Sequence, residues 1–242
     1  LRKGNMNKNI LIIICLLILS GLTGLYSQDT GDVQVKSGYV KVPEGSLYYE
    51  EAGTGEPLIF IHGHSLDRRM WNEQFFKFAK HYRAIRYDLR GYGISSKQTE
   101  DFQFTHAEDL VALMDALHIR KAHIVGLSLG GFVGADMLGC FPDRMLSAFL
   151  ASGNIRKSKG PSEPMTKEEA AKRDEEIAAL EKKGVDVMKK EWFEGLMQSG
   201  GTRKERMRVP LWEMIDDWDA WQPLHCLLYT SPSPRDISGS RM

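Results

Sequence analysis

The chain has 242 residues, with 32 Lys plus Arg against 32 Asp plus Glu, a formal net charge of zero, and 42% hydrophobic residues. That length fits one domain of moderate size with an insertion, and the charge balance offers neither a basic field for nucleic acid nor an acidic tail. Of the three cysteines, Cys15 and Cys226 fall in terminal segments set apart below, so Cys140 stands alone and no internal disulfide is expected.

Leu1 to Asn5 read as sequence upstream of a start at Met6, and Lys8 then precedes the apolar run Ile10 to Leu19. Residues 20–27 are small and polar enough to end that run, with a cleavage site at Leu25-Tyr26-Ser27 before Gln28. This is the layout of a signal peptide over residues 1–27, its apolar stretch short for a membrane span. Ile14 is bulky for a lipoprotein site at Cys15. The expectation is an exported protein, periplasmic or extracellular, with no stable membrane association once the signal is cleaved; the alternative is an uncleaved N-terminal anchor.

Tyr39 to Val42 and Leu47 to Glu51 read as an antiparallel strand pair. Pro57 to Ile61 is an apolar strand running into the turn His62-Gly63-His64-Ser65, and Tyr82 to Tyr87 is a strand ending in Asp88-Leu89-Arg90-Gly91-Tyr92-Gly93. Gly91-Tyr92-Gly93 opens no phosphate-loop or dinucleotide fingerprint. Thr105-x-x-Glu108 is a capping box, with Leu110, Val111, Met114 and Leu117 on one helical face behind it. Ala122 to Val125 reads as a buried parallel strand, followed by Gly126-Leu127-Ser128-Leu129-Gly130 and by a helix from Leu129 to Cys140 that stops at Phe141-Pro142. A strand turning straight into a helix holds Ser128 strained and forward, with glycines where a Cβ would meet backbone. Met145 to Ala151 is a further strand.

Composition changes after Gly153. Residues 156–221 carry dense mixed charge, with capping boxes at Thr166-x-x-Glu169 and Thr202-x-x-Glu205, and Gly184 ends the first helix. Met188, Trp192 and Leu196 recur at helical spacing, as do Leu211, Ile215 and Trp218. Asp216, Asp217 and Asp219 read as a solvated face and His225 as a surface residue. From Cys226 the text has neither strand alternation nor helical period and resembles translated sequencing-adapter DNA, so residues 226–242 are set aside as a non-native tail.

The strand into His62-Gly63-His64, the loop from Asp88 to Ser95 and the Gly126 to Gly130 turn, in this order, resemble the α/β-hydrolase superfamily, specifically its cap-bearing serine hydrolases, over Tyr39 to His225. The resemblance implies an α/β fold: a mostly parallel sheet with helices on both faces and a helical cap inserted after the sixth strand, the last core strands missing. It divides the chain into 28–154, the N-terminal part of the core, and 155–225, the cap. Ser128 is then the nucleophile, and the backbone amides of Leu129 and His64 form the oxyanion hole. His62 is structural, His64 also walls the pocket, and Asp88 with Arg90 braces a loop. Trp192, Phe193 and Trp212 either reach the pocket or only pack the cap.

The triad acid and histidine, due after Ser128 in this superfamily, are absent from the chain. No cofactor is implied. A metal at His62 and His64 would want a third ligand, and none is visible nearby. The implied activity is cleavage of a small neutral carboxylic ester or lactone through an acyl-enzyme, with the chain as written inactive. A perhydrolase or carbon-carbon bond hydrolase shares the same motifs, and a ligand-binding or signalling protein that has lost catalysis is the reading from another class. Epoxide hydrolases and dehalogenases of this superfamily use Asp where this chain has Ser128.

Overall fold

A strand covered on both faces must be apolar at successive positions, and β3 (Pro57–Ile61) meets this demand. Leu58 and Phe60 enter one apolar cluster with Trp71 and Phe75, while Ile59 and Ile61 enter the other with Leu110, Leu113, Val133 and Met137. The computed structural model describes residues 33–97, 104–153 and 166–225. The expected signal segment 1–27 and tail 226–242 lie outside the described residues. Among the described residues no helix is long and apolar enough to cross a membrane.

Six strands form one sheet: β1 (Val35–Val42), β2 (Gly45–Ala52), β3, β4 (Arg83–Tyr87), β5 (Ala122–Leu127) and β6 (Met145–Ala151), in the spatial order β1-β2-β4-β3-β5-β6. β3 pairs in parallel with β4 and β5, and β5 with β6, whereas β1–β2 and β2–β4 are antiparallel. The hairpin is longer than its apolar residues suggest, with register from Val35 opposite Ala52 to Val42 opposite Gly45. Val35 to Ser37 are exposed, so nothing hydrophobic marks them in the sequence.

Helices α1 (Asn72–Phe78), α2 (His106–Ala116) and α3 (Leu129–Cys140) flank the sheet, α1 in the cluster with Phe75 and α2 and α3 in the cluster with Leu110 and Val133. α2 starts as its sequence dictates: the Thr105 hydroxyl accepts the Glu108 amide at 3.1 Å and donates to the Glu108 carboxylate at 2.9 Å. Cys140, at the end of α3, is a free thiol.

Four further helices follow β6: α4 (Lys167–Lys183), α5 (Val185–Ser199), α6 (Lys204–Asp217) and α7 (Trp221–His225). α4 begins directly after Thr166 and ends at Gly184, whose φ of 87° favours glycine. The second expected start is displaced: Thr202 lies in a short 3-10 turn, Gly201–Arg203, and α6 begins after it. Phe193, Met197, Leu211 and Ile215 make a small apolar cluster between α5 and α6, with Leu66 of the sheet-side loop packed against it. Asp216, Asp217 and Asp219 are exposed, yet two of them tether: Asp217 pairs with Arg69 at 2.6 Å and Asp219 with Lys97 at 3.5 Å.

One buried ion pair joins three separate segments. Arg90 reaches Asp109 of α2 through two hydrogen bonds of 2.8 and 2.9 Å, and its guanidinium also donates to the carbonyls of Pro43 and Glu44 in the β1–β2 turn. Both side chains are almost fully buried, so deleting one strands the other. Arg90→Ala is expected to lower the unfolding free energy by about 3–5 kcal/mol, read from urea unfolding; a loss below about 1 kcal/mol, the range of a surface pair, would contradict this account.

Candidate active site

At the turn between β5 and α3 the backbone closes tightly on itself. Ser128 sits there with φ 53° and ψ −109°, a conformation that side chains other than glycine rarely adopt. A Cβ on Gly126 would lie 2.1 Å from the Gly130 carbonyl oxygen, and one on Gly130 would lie 2.3 Å from that of Ile61. Both positions therefore require glycine. Ser128 is partly exposed, its amide donates to the Ala151 carbonyl at 2.8 Å, and among the described residues its hydroxyl has no hydrogen-bond partner. Its neighbour Leu129 opens α3, so the Leu129 amide is one of the helix N-terminal donors left without an intrahelical acceptor.

The turn after β3 lies against this elbow. Gly130 N–H donates to the His62 carbonyl at 3.0 Å, and a Cβ on Gly63 would approach Ser128 Cβ to 3.7 Å. His62 is buried with both ring nitrogens engaged: Nδ1 faces the Gly63 carbonyl at 2.8 Å and so donates, while Nε2 accepts from Leu89 N–H at 2.9 Å. Those partners fix one neutral tautomer and leave no lone pair for a metal or a serine proton, which fits the structural reading of His62. Burial holds its pKa below the ordinary imidazole value.

His64 faces the other way. Its Nδ1 shares a hydrogen bond of 2.8 Å with the Tyr92 hydroxyl, and its ring stands edge-on to Tyr92, Trp192 and Trp218, with Trp218 nearest at 4.8 Å. Burial, and then the nearby His62, lower its pKa to about 4, so the ring is neutral at pH 7. Burial also raises the Tyr92 phenol, which keeps its proton. This wall is aromatic and uncharged.

Charged groups are placed behind the loops. Asp88 accepts from the Arg68 and Ile94 amides and from the Arg68 guanidinium, at 2.8–3.0 Å, while Arg90 belongs to Asp109. Asp88 and Arg90 therefore both brace the loop, each through its own partner. Gly93 is obligatory in this loop, since a Cβ there would come within 2.2 Å of the Asp88 carboxylate.

The three aromatics expected from the later helices divide. Trp192 reaches the site and donates its indole N–H to Ser65 Oγ at 2.7 Å. Phe193 is buried in the α5–α6 cluster and meets Trp212 edge-on at 5.2 Å, so of the two roles open to them both pack the helices together. Adjacent helical residues point about 100° apart, and Trp192 and Phe193 cannot serve the same surface. Sequence reasoning assigned no role here to Tyr92, Ser65, Trp218 or Gln222. Trp218 donates to Gln222 at 2.8 Å, and Gln222 donates to the Gly91 carbonyl at 3.0 Å, closing the far side of the wall.

A family profile described as the alpha/beta hydrolase fold matches residues 56–179. The chain is 30% identical over 178 residues to the AB hydrolase superfamily protein YisY of Bacillus subtilis, covering 66% of each. It is 31% identical over 122 residues to the non-heme chloroperoxidase CPO-A1 of Kitasatospora aureofaciens, covering 48% of this chain and 44% of that one. A crystal structure of a hydrolase from Pseudomonas aeruginosa aligns with a TM-score of 0.53 at 26% identity, covering 78% of this chain and 73% of the other. The chain spans less than two thirds of the length of these two curated relatives.

The His64 environment carries a pH consequence. Its folded pKa is depressed, so the stability tied to the neutral ring is complete above the ordinary imidazole value of 6.5 and is lost as pH falls toward about 4. NMR titration of the imidazoles is expected to show His64 neutral at pH 7 with its midpoint near 4, and a midpoint at or above 6.5 would contradict the buried, uncharged wall.

Proposed function

The chain belongs to the α/β-hydrolase fold family, and on that footing we propose that it is a serine hydrolase that cleaves a small, neutral carboxylic ester or lactone through an acyl-enzyme on Ser128. One observation carries the reading: a serine with positive φ between two glycines that cannot be replaced, at the start of a helix and against the His62-Gly63-His64 turn. Ser128 Oγ attacks the carbonyl carbon, the carbonyl oxygen becomes negative, and the amides of Leu129 and His64 receive that charge. Fixed donors of this kind need no reorganisation as the charge develops, and each typically contributes about 3–4 kcal/mol to transition-state stabilisation. The uncharged wall of His64, Tyr92, Trp192 and Trp218 favours a neutral acyl or alcohol group, since a buried charge there would lack a counter-ion.

Serine also needs a base, and among the described residues no imidazole or carboxylate is hydrogen-bonded to its hydroxyl. The 242-residue chain is therefore expected to turn over esters slowly, with oxyanion stabilisation and binding alone contributing roughly a thousandfold over water. Helices α4 to α7 act as the cap over residues 155–225, and the sequence of residues 1–27 directs export, with Gln28 as the mature N-terminus to be found by mass spectrometry. The likeness to a protein named for chloroperoxidase activity supports a second reading. In it the same acyl-enzyme passes its acyl group to hydrogen peroxide in place of water.

Ser128→Ala is expected to abolish labelling by a fluorophosphonate probe. Labelling that survives in the variant would place the nucleophile elsewhere.

A further inference from the structure

The turn that carries His64 is held from two sides. On the elbow side, the His62 carbonyl accepts from Gly130 N–H at 3.0 Å. On the other side stands Ser65, fully buried, with φ 62°. A residue with a Cβ keeps such a conformation only where its surroundings over-determine it. Here the Ser65 hydroxyl spends its single proton on the His64 carbonyl at 2.6 Å and accepts the Trp192 indole N–H at 2.7 Å. The donor comes from α5, 127 residues away in the chain. Between the two anchors the His64 ring is fixed by Tyr92 and Trp218. The peptide that carries the His64 amide has its own carbonyl, that of Gly63, held by His62 Nδ1 at 2.8 Å and by Leu66 N–H at 3.3 Å, so its plane is set between the two anchors.

Trp192 and its neighbour Phe193 differ in what they do. Phe193 is 6% exposed and fills the apolar cluster of α5 and α6, whereas Trp192 is 37% exposed and commits its one polar atom to Ser65. A side chain kept only for packing would not leave a third of its surface in water while aiming its N–H at a strained turn.

We propose that Trp192 is a positioning residue: through the Ser65 hydroxyl it aims the His64 amide, so that the seating of α5 on the sheet domain sets the geometry of the oxyanion site. This rests on the reading of Ser128 as nucleophile and His64 N–H as oxyanion donor. Phosphonylation forms a bond from Ser128 Oγ to phosphorus and expels fluoride, and the serine proton passes to solvent. The phosphoryl oxygen takes the place of the oxyanion.

The test compares the whole chain with Trp192→Phe, Ser65→Ala and the double variant, all checked for folding by circular dichroism. The first reading is the rate and the half-saturating concentration of fluorophosphonate labelling at Ser128. Both single variants are expected to lose about tenfold in maximal rate, part of what deleting an oxyanion donor removes, with half-saturation unchanged. The double variant is expected to lose no more than either single, because the two act through one contact. Labelling as fast as in the parent, or losses that add, would overturn the proposal. The second reading is hydrogen exchange at the amides of His64 to Leu66, expected to be faster in both single variants. If the parent is not labelled at Ser128, the serine reading fails and exchange alone decides: faster exchange supports the Trp192 link, and unchanged exchange overturns it. Should Trp192→Phe misfold, Ser65→Ala carries both readings.

Discussion

The rest of the structure depends on a contact between backbones with no side chain between them. β5 ends, α3 begins, and the chain leaving β3 passes so close that Gly130 has room for nothing beyond hydrogen, with the Ile61 carbonyl 2.3 Å from where a Cβ would stand. Gly126 meets the same limit against the Gly130 carbonyl, and Gly131 lies against Gly153. This crowding forces Ser128 into positive φ and brings the His62 carbonyl within reach of the Gly130 amide. Because the approach is backbone on backbone, no flexible side chain can relieve it. Strain of this kind costs of order 1–3 kcal/mol per residue, and the two buried apolar clusters on either face of the sheet supply the burial that holds it.

Charge is distributed in a consistent way around that contact. Arg68, Glu50, Arg86 and Asp88 form a connected network of ion pairs, and Arg86 also lies 4.3 Å over the Phe75 ring. Each charge in the network has at least one opposite charge as a hydrogen-bond partner, which matters more than the net contribution of any pair, since buried pairs often contribute little beyond fixing geometry. The ring cluster around His64 is built the opposite way, from neutral imidazole, phenol and indole. The loops are thus braced by ion pairs while the ring cluster around His64 stays uncharged.

How much of this was legible in the sequence follows from the range of each interaction. The Thr105 cap, the helix from Leu129 to Cys140 and the strand Met145 to Ala151 rest on local chemistry, and each is found where its residues place it. The demand for glycine at 126 and 130 was legible too, because the strand-to-helix turn implies the crowding. The contacts that shape the pocket wall were not. His64 and Tyr92 are 28 residues apart, and Ser65 and Trp192 are 127 apart. Helical spacing marked Trp192 and Trp218 as facing inward without telling which interior each faces. Trp218 belongs to the main core beside His64, and Trp212 to the small α5–α6 cluster. The separate partners of Asp88 and Arg90 were equally hidden, because two charges so close in sequence read naturally as one pair.

The central claim is that the strained elbow aims Ser128 at a point served by two backbone amides. A crystal structure of the chain after reaction with a fluorophosphonate tests it most directly. The account predicts phosphorus bonded to Ser128 Oγ, with the phosphoryl oxygen about 2.7–3.1 Å from both Leu129 N and His64 N, the distance expected for oxyanion donors. A phosphoryl oxygen turned to solvent, or held by a side chain with either amide out of reach, would contradict it.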